Sequence, residues 1–131
     1  MADDAPVKLY WEDIRPGLSI ETPDYGATAD EMLRFARAFN PQPIHADPEM
    51  AGEMLYAGLI ASGWHTCALT MRALVDGFLC RTASLGSPGV EVIRWLKPNR
   101  PGDRLRLRLA CVAAEPSKSR PDMGRCRFHH T

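Results

Sequence analysis

A chain of 131 residues has the length of one domain built around a single hydrophobic core. Sixteen Lys and Arg balance sixteen Asp and Glu, so the formal net charge is zero, which argues against a general polyanion binder such as a non-specific nucleic-acid protein. The four cysteines (Cys67, Cys80, Cys111 and Cys126) include no CxxC pair and read as reduced thiols rather than a zinc site or a disulfide framework.

The start, Met1 to Pro6, is acidic rather than positively charged like a secretory leader, and no apolar run reaches the length of a membrane span; the expectation is a cytoplasmic protein. Tyr10 to Ile14 followed by Arg15-Pro16-Gly17 reads as an entry segment and turn, and Leu18 to Thr22 as a short strand. Thr28-Ala29-Asp30-Glu31 is a capping box, and Met32, Phe35, Ala36 and Phe39 follow at helical spacing, which predicts a helix over Ala29 to Phe39. The helix runs into Asn40-Pro41-Gln42-Pro43-Ile44-His45, a proline-punctuated turn that presents Asn40 and His45 five positions apart. His45 follows Pro43-Ile44, so it is placed at the end of a rigid turn rather than on a helix face. Asp47-Pro48-Glu49 has the N-cap, first-position proline and first-turn acid of a second helix start, short and ending near Met54.

Gly58 to Thr66 leads into Cys67 to Leu79, where only Arg72 and Asp76 are charged; a helix so apolar on most faces is buried. After the small-residue loop Arg81 to Gly89 the period changes to two. Val90 to Leu96, Arg104 to Ala114 and Arg125 to Thr131 read as strands, divided by Pro98 to Asp103 and Ser117 to Gly124. Leu105, Leu107 and Leu109 alternate with Arg104, Arg106 and Arg108, the pattern of a half-buried strand.

The Phe35 to Pro48 run, with His45 five residues after Asn40, resembles the signature of MaoC-like dehydratases, the (R)-specific enoyl-CoA hydratases, a branch of the hot-dog fold. The likeness extends from Trp11-Glu12-Asp13 to Arg127. It implies an α+β domain over residues 1–131, an antiparallel sheet wrapped around a long central helix. It also implies a further strand beyond the position of Thr131, so the last strand is expected to be missing and a sheet edge left open.

The resemblance implies roles as well. An aspartate acts as base toward water, a histidine binds that water and moves a proton, and a backbone amide polarises the thioester carbonyl, the three groups that syn hydration of an enoyl thioester requires. His45 matches the histidine. Asn40 stands where the aspartate would be; a carboxamide can orient water but cannot take its proton. Two readings of Asn40 stand, a helix C-cap alone or a retained water-binding role. Asp47, two residues past His45, reads as a helix cap rather than a substitute base. Ser62-Gly63 matches the step at the start of the central helix, where Gly63 N–H would be the oxyanion donor and Ser62 a cap beside the substrate. Ile44 would line the substrate site. His65 is placed in the core.

Lys118, Arg120 and Arg125 could meet the phosphates of coenzyme A or simply form a solvated loop. Pro101-Gly102-Asp103 reads as a turn, and His129 and His130, on opposite strand faces, make a poor metal pair. No metal or redox cofactor is implied; coenzyme A enters as part of the substrate. The resemblance further implies a homodimer or higher assembly, with no membrane or nucleic-acid partner. The reading is therefore reversible hydration of 2-enoyl thioesters. Its rivals are a non-catalytic acyl-CoA-binding protein or partner subunit, which Asn40 makes credible, and a hot-dog thioesterase.

Overall fold

The structure, a computed structural model, describes residues 8–131; the acidic start lies outside them. The described residues form two compact units, one of residues 8–23, Ala73–Pro88 and Arg106–Thr131, the other of Asp24–Arg72 and Gly89–Leu105. No helix among them is long and apolar enough to cross a membrane.

The first unit holds an antiparallel sheet in the order β1 (Ser19–Glu21), β2 (Arg108–Pro116) and β3 (Gly124–His130). The leucine–arginine alternation sets its faces: Leu107 and Leu109 are buried while Arg106 and Arg108 are exposed. Ile20 pairs with Leu109 and Glu21 with Arg108, where the guanidinium donates to the carboxylate at 2.8 Å and holds that carboxyl below its usual range. β1 stops before Pro23, but Thr22 continues the contact: its N–H donates to the Leu107 carbonyl, and its hydroxyl accepts from Leu107 N–H. A register shift between Cys111 and Ala113 adds Val112 to β2 as a bulge, which breaks strict alternation there. Phe78, 1% exposed, meets Phe128 of β3 edge-on at 5.6 Å. In the β2–β3 loop the Ser117 hydroxyl accepts from the amides of Ser119 and Arg120, and Arg120 is paired with Asp122.

The second unit begins with α1 (Ala29–Phe39), bounded as predicted. Thr28 Oγ1 accepts from Glu31 N–H at 3.2 Å, and the Glu31 carboxylate accepts from Thr28 N–H at 3.1 Å, the reciprocal box read in the sequence. Met32 is buried in a core with Ala27, Leu59 and Ala61, against which Leu33 and Leu69 pack. The chain then makes α2 (Pro43–Ala46), a single helical turn in which the amides of His45 and Ala46 both donate to the Gln42 carbonyl. This corrects the expectation for His45: it lies on a short helix, because Pro43 at the first position has the helical φ and no N–H to lose. α3 (Pro48–Glu53) starts as predicted, Asp47 Oδ1 accepting from the amides of Glu49 and Met50 at 3.1 Å each.

The long helix α4 (Gly63–Gly77) starts four residues earlier than Cys67, and its residues from Ala73 on belong to the first unit. Residues 90–96 were expected as a strand and form none among the described residues. Their β-branched and aromatic composition suits a pleated, half-buried surface, but a strand also needs a neighbouring edge. Val90, Val92, Trp95 and Leu96 are instead exposed. Arg100 to Asp103 is the predicted turn, of type II: Gly102 has φ +83°, and Asp103 N–H donates to the Arg100 carbonyl at 3.0 Å.

Candidate active site

Asn40 sits at the C-cap of α1, its N–H donating to the Ala36 carbonyl at 2.8 Å. Its φ of −152° is not the left-handed cap geometry, and its side chain serves elsewhere. Nδ2 donates to Ser62 Oγ, 22 residues further along the chain, at 2.8 Å. Oδ1 accepts from Gln42 Nε2, also at 2.8 Å. The carboxamide is thus clamped at both ends.

Ser62 is 1% exposed and caps α4: Trp64 N–H donates to its Oγ at 3.3 Å, and Thr66 N–H to its carbonyl at 3.1 Å. One hydroxyl therefore ties the end of α1 to the start of α4. Gly63 N–H, next in line, is among the first-turn amides that a helix leaves without an internal partner and that lie at the positive end of its dipole.

Packing supplies a reason of its own for a glycine here. A Cβ on Gly63 would stand 2.5–2.9 Å from ring atoms of Trp95, whose Nε1–H donates to the Gly63 carbonyl at 2.9 Å. The indole occupies the space that a side chain would need. Nothing local in the sequence points to this contact, which spans 32 residues.

His45 is half-buried, with Nδ1 2.9 Å from the Ile60 carbonyl. A carbonyl only accepts, so Nδ1 carries the hydrogen and Nε2 keeps the lone pair for proton transfer. The neighbouring backbone is held as well: Ile60 N–H lies 3.5 Å from the Ile44 carbonyl, and Ala61 N–H donates to the Asn99 carbonyl at 2.8 Å. Asn99, 6% exposed, donates from Nδ2 to Thr66 Oγ1 at 3.3 Å. Gln42 and Asn99 both support this arrangement and were not singled out in the sequence. Gln42 could have been, since it shares the turn with Asn40.

A pocket of about 370 Å³ opens beside Asn40, with Phe35, Phe39 and Trp64 as its other walls. His45, Ile44 and Gly63 do not line it. Lys118 and Arg120 lie on the β2–β3 loop of the first unit, where Asp122 takes the Arg120 guanidinium through contacts of 2.9 and 3.2 Å.

His65 is buried as expected, its ring stacked on Phe35 at 4.5 Å and 7°. Its Nδ1 is buried with no hydrogen-bond partner, and burial pushes the imidazole pKa down against a weaker upward pull from Glu31. The folded state therefore favours the neutral ring, and below the ordinary value of 6.5 the unfolded chain binds more protons. Stability contributed by His65 is present above pH 6.5 and declines as the pH falls through that value. Urea midpoints of the unaltered protein should drop between pH 7.5 and 5.5, and His65→Gln should flatten that drop; an equal slope in the variant would assign the loss to other groups.

The fold defined by these elements is the hot-dog class. A crystal structure of a MaoC-like dehydratase from Rhodospirillum rubrum superposes with a TM-score of 0.80, at 38% identity over 94% of this chain and 85% of that one. The family described as MaoC like domain matches residues 13–127, and the chain belongs to that family. The (R)-hydratase from A. caviae involved in PHA biosynthesis shares the fold, with a TM-score of 0.63 at 19% identity, covering 91% of this chain and 87% of that one. Among curated relatives, Protein MaoC of Klebsiella aerogenes is 27% identical over 107 residues, 81% of this chain. The chain spans 31% of the length of that relative.

Proposed function

We propose that this MaoC-like hot-dog protein binds 2-enoyl thioesters of the coenzyme A type and hydrates them reversibly, at a rate held down by Asn40. What supports the reading is the chain of contacts from Gln42 through Asn40 and Ser62, which ties Asn40 to the start of α4. Gly63 N–H polarises the thioester carbonyl. His45, its tautomer set by Ile60, takes a proton from the attacking water at Nε2 as the C–O bond forms and passes that same proton to the α-carbon. Asn40 orients water but offers no basicity, and Gln42 already donates to its oxygen. A cytoplasmic homodimer belongs to the same reading, and light scattering reads the assembly directly.

The double clamp on Asn40 also favours a second reading, an acyl-thioester binder without turnover. One assay separates the readings. Hydration removes the enoyl-thioester absorbance while the thiol stays masked; a thioesterase would free the thiol. A binder does neither, yet raises the melting temperature with ligand. Rapid thiol release would overturn both readings.

A further inference from the structure

We propose that the pocket formed by Phe35, Phe39, Trp64 and Asn40 receives the acyl tail and selects a planar, aryl-conjugated 2-enoyl group; this rests on the thioester reading above. Hydration adds water at the β-carbon, so the residue that orients the water lies beside that carbon. Asn40 is that residue and also a wall of the pocket. The substituent on the β-carbon therefore points at the remaining walls, and all three are aromatic.

Those walls touch one another and further rings. The Phe35 ring is stacked on His65 at 4.5 Å and meets Phe39 at 5.2 Å with a 52° tilt. Trp64 meets Trp95 edge-on at 5.6 Å, and Trp95 is itself tethered to the Gly63 carbonyl. Each wall ring thus has another ring as a neighbour, although Phe39 is 75% and Trp64 59% exposed. Aromatic walls at mutual tilts offer edge-to-face and offset contacts to a flat ring that they do not offer to a flexible alkyl chain. The pocket, about 370 Å³ and widely open to solvent, has room for a phenyl ring laid against its walls. No charged side chain lines it, which fits an uncharged tail.

The test compares cinnamoyl-CoA, 2-hexenoyl-CoA and free coenzyme A by calorimetric binding to the unaltered protein, Phe39→Leu and Trp64→Leu. Trp64→Phe serves as a conservative control, and light scattering is run on each sample. The expected result is cinnamoyl-CoA bound about 2–10-fold more tightly than 2-hexenoyl-CoA, the gain that aromatic contacts provide. That preference should vanish in Phe39→Leu or Trp64→Leu and persist in Trp64→Phe. Equal affinities for both thioesters, or a preference unchanged in the leucine variants, would overturn the pocket assignment and leave thioester binding standing. Leucine variants that lose assembly mass but keep the preference would also overturn it, making this face a contact between copies. No binding of either thioester would instead remove the thioester reading itself.

Discussion

Asn40→Asp is expected to accelerate hydration of an enoyl thioester by about 10²–10⁴-fold, the usual worth of a positioned general base. That corresponds to roughly 3–5 kcal/mol of barrier. The substitution is nearly isosteric, and the surroundings of Asn40 are suited to a carboxylate. Gln42 Nε2 would donate to one oxygen as it now donates to Oδ1, and the Ser62 hydroxyl would turn to donate to the other. Two donors favour the charged form, so the new carboxylate should be ionised at neutral pH, as a base must be. His45→Ala in that background should abolish the gain. The measurement is the decay of enoyl-CoA absorbance for the unaltered protein and both variants at equal substrate. Fast turnover by the unaltered protein would mean that another group supplies the base. Asp47 is a poor candidate, since its Oδ1 already caps two amides of α3. No gain from Asn40→Asp with binding intact would favour the binder.

Phe78→Ala should be the most destabilising single truncation in the sheet-bearing unit. The ring is 1% exposed and rests edge-on against Phe128. Its removal costs the transfer free energy of the side chain, the ring–ring contact and the cavity left behind, about 3–5 kcal/mol together. Domains of this size are stable by about 5–15 kcal/mol, so the loss could take most of the reserve. Phe78→Leu, which keeps much of the volume, should cost less than half as much. Urea unfolding followed by circular dichroism reads both. A shift below about 1 kcal/mol for the alanine variant would contradict the packing described, since exposed positions are the ones that change so little.

Where the physics is local, the chain could be read directly. The capping box and the apolar spacing behind it placed both ends of α1, and Asp47-Pro48-Glu49 placed the start of α3. The leucine–arginine alternation placed the buried face of β2. Ser62 and Gly63 were recognised as the start of the long helix because of the family step they match, while the apolar run alone suggested a start at Cys67. What escaped depends on partners distant in the chain. Residues 90–96 have the composition of a strand but join no sheet among the described residues, and composition carries no information about a partner edge. The packing reason for glycine at position 63 is an indole 32 residues away. The aromatic pocket has the same origin: Phe35 and Phe39 read as the apolar face of a helix, and only the approach of Trp64 makes them walls.

The two side-chain contacts that anchor this region, Asn40 to Ser62 and His45 to the Ile60 carbonyl, bracket one stretch of chain like a pair of clasps. Between them, residues 54–57, past the end of α3, are exposed throughout. An insertion there lengthens a loop whose ends are already fastened, and loop length is thermodynamically inexpensive, each doubling costing only about 0.6 kcal/mol. Evolution could therefore lengthen, shorten or recompose this loop while the two contacts at its ends stay in register.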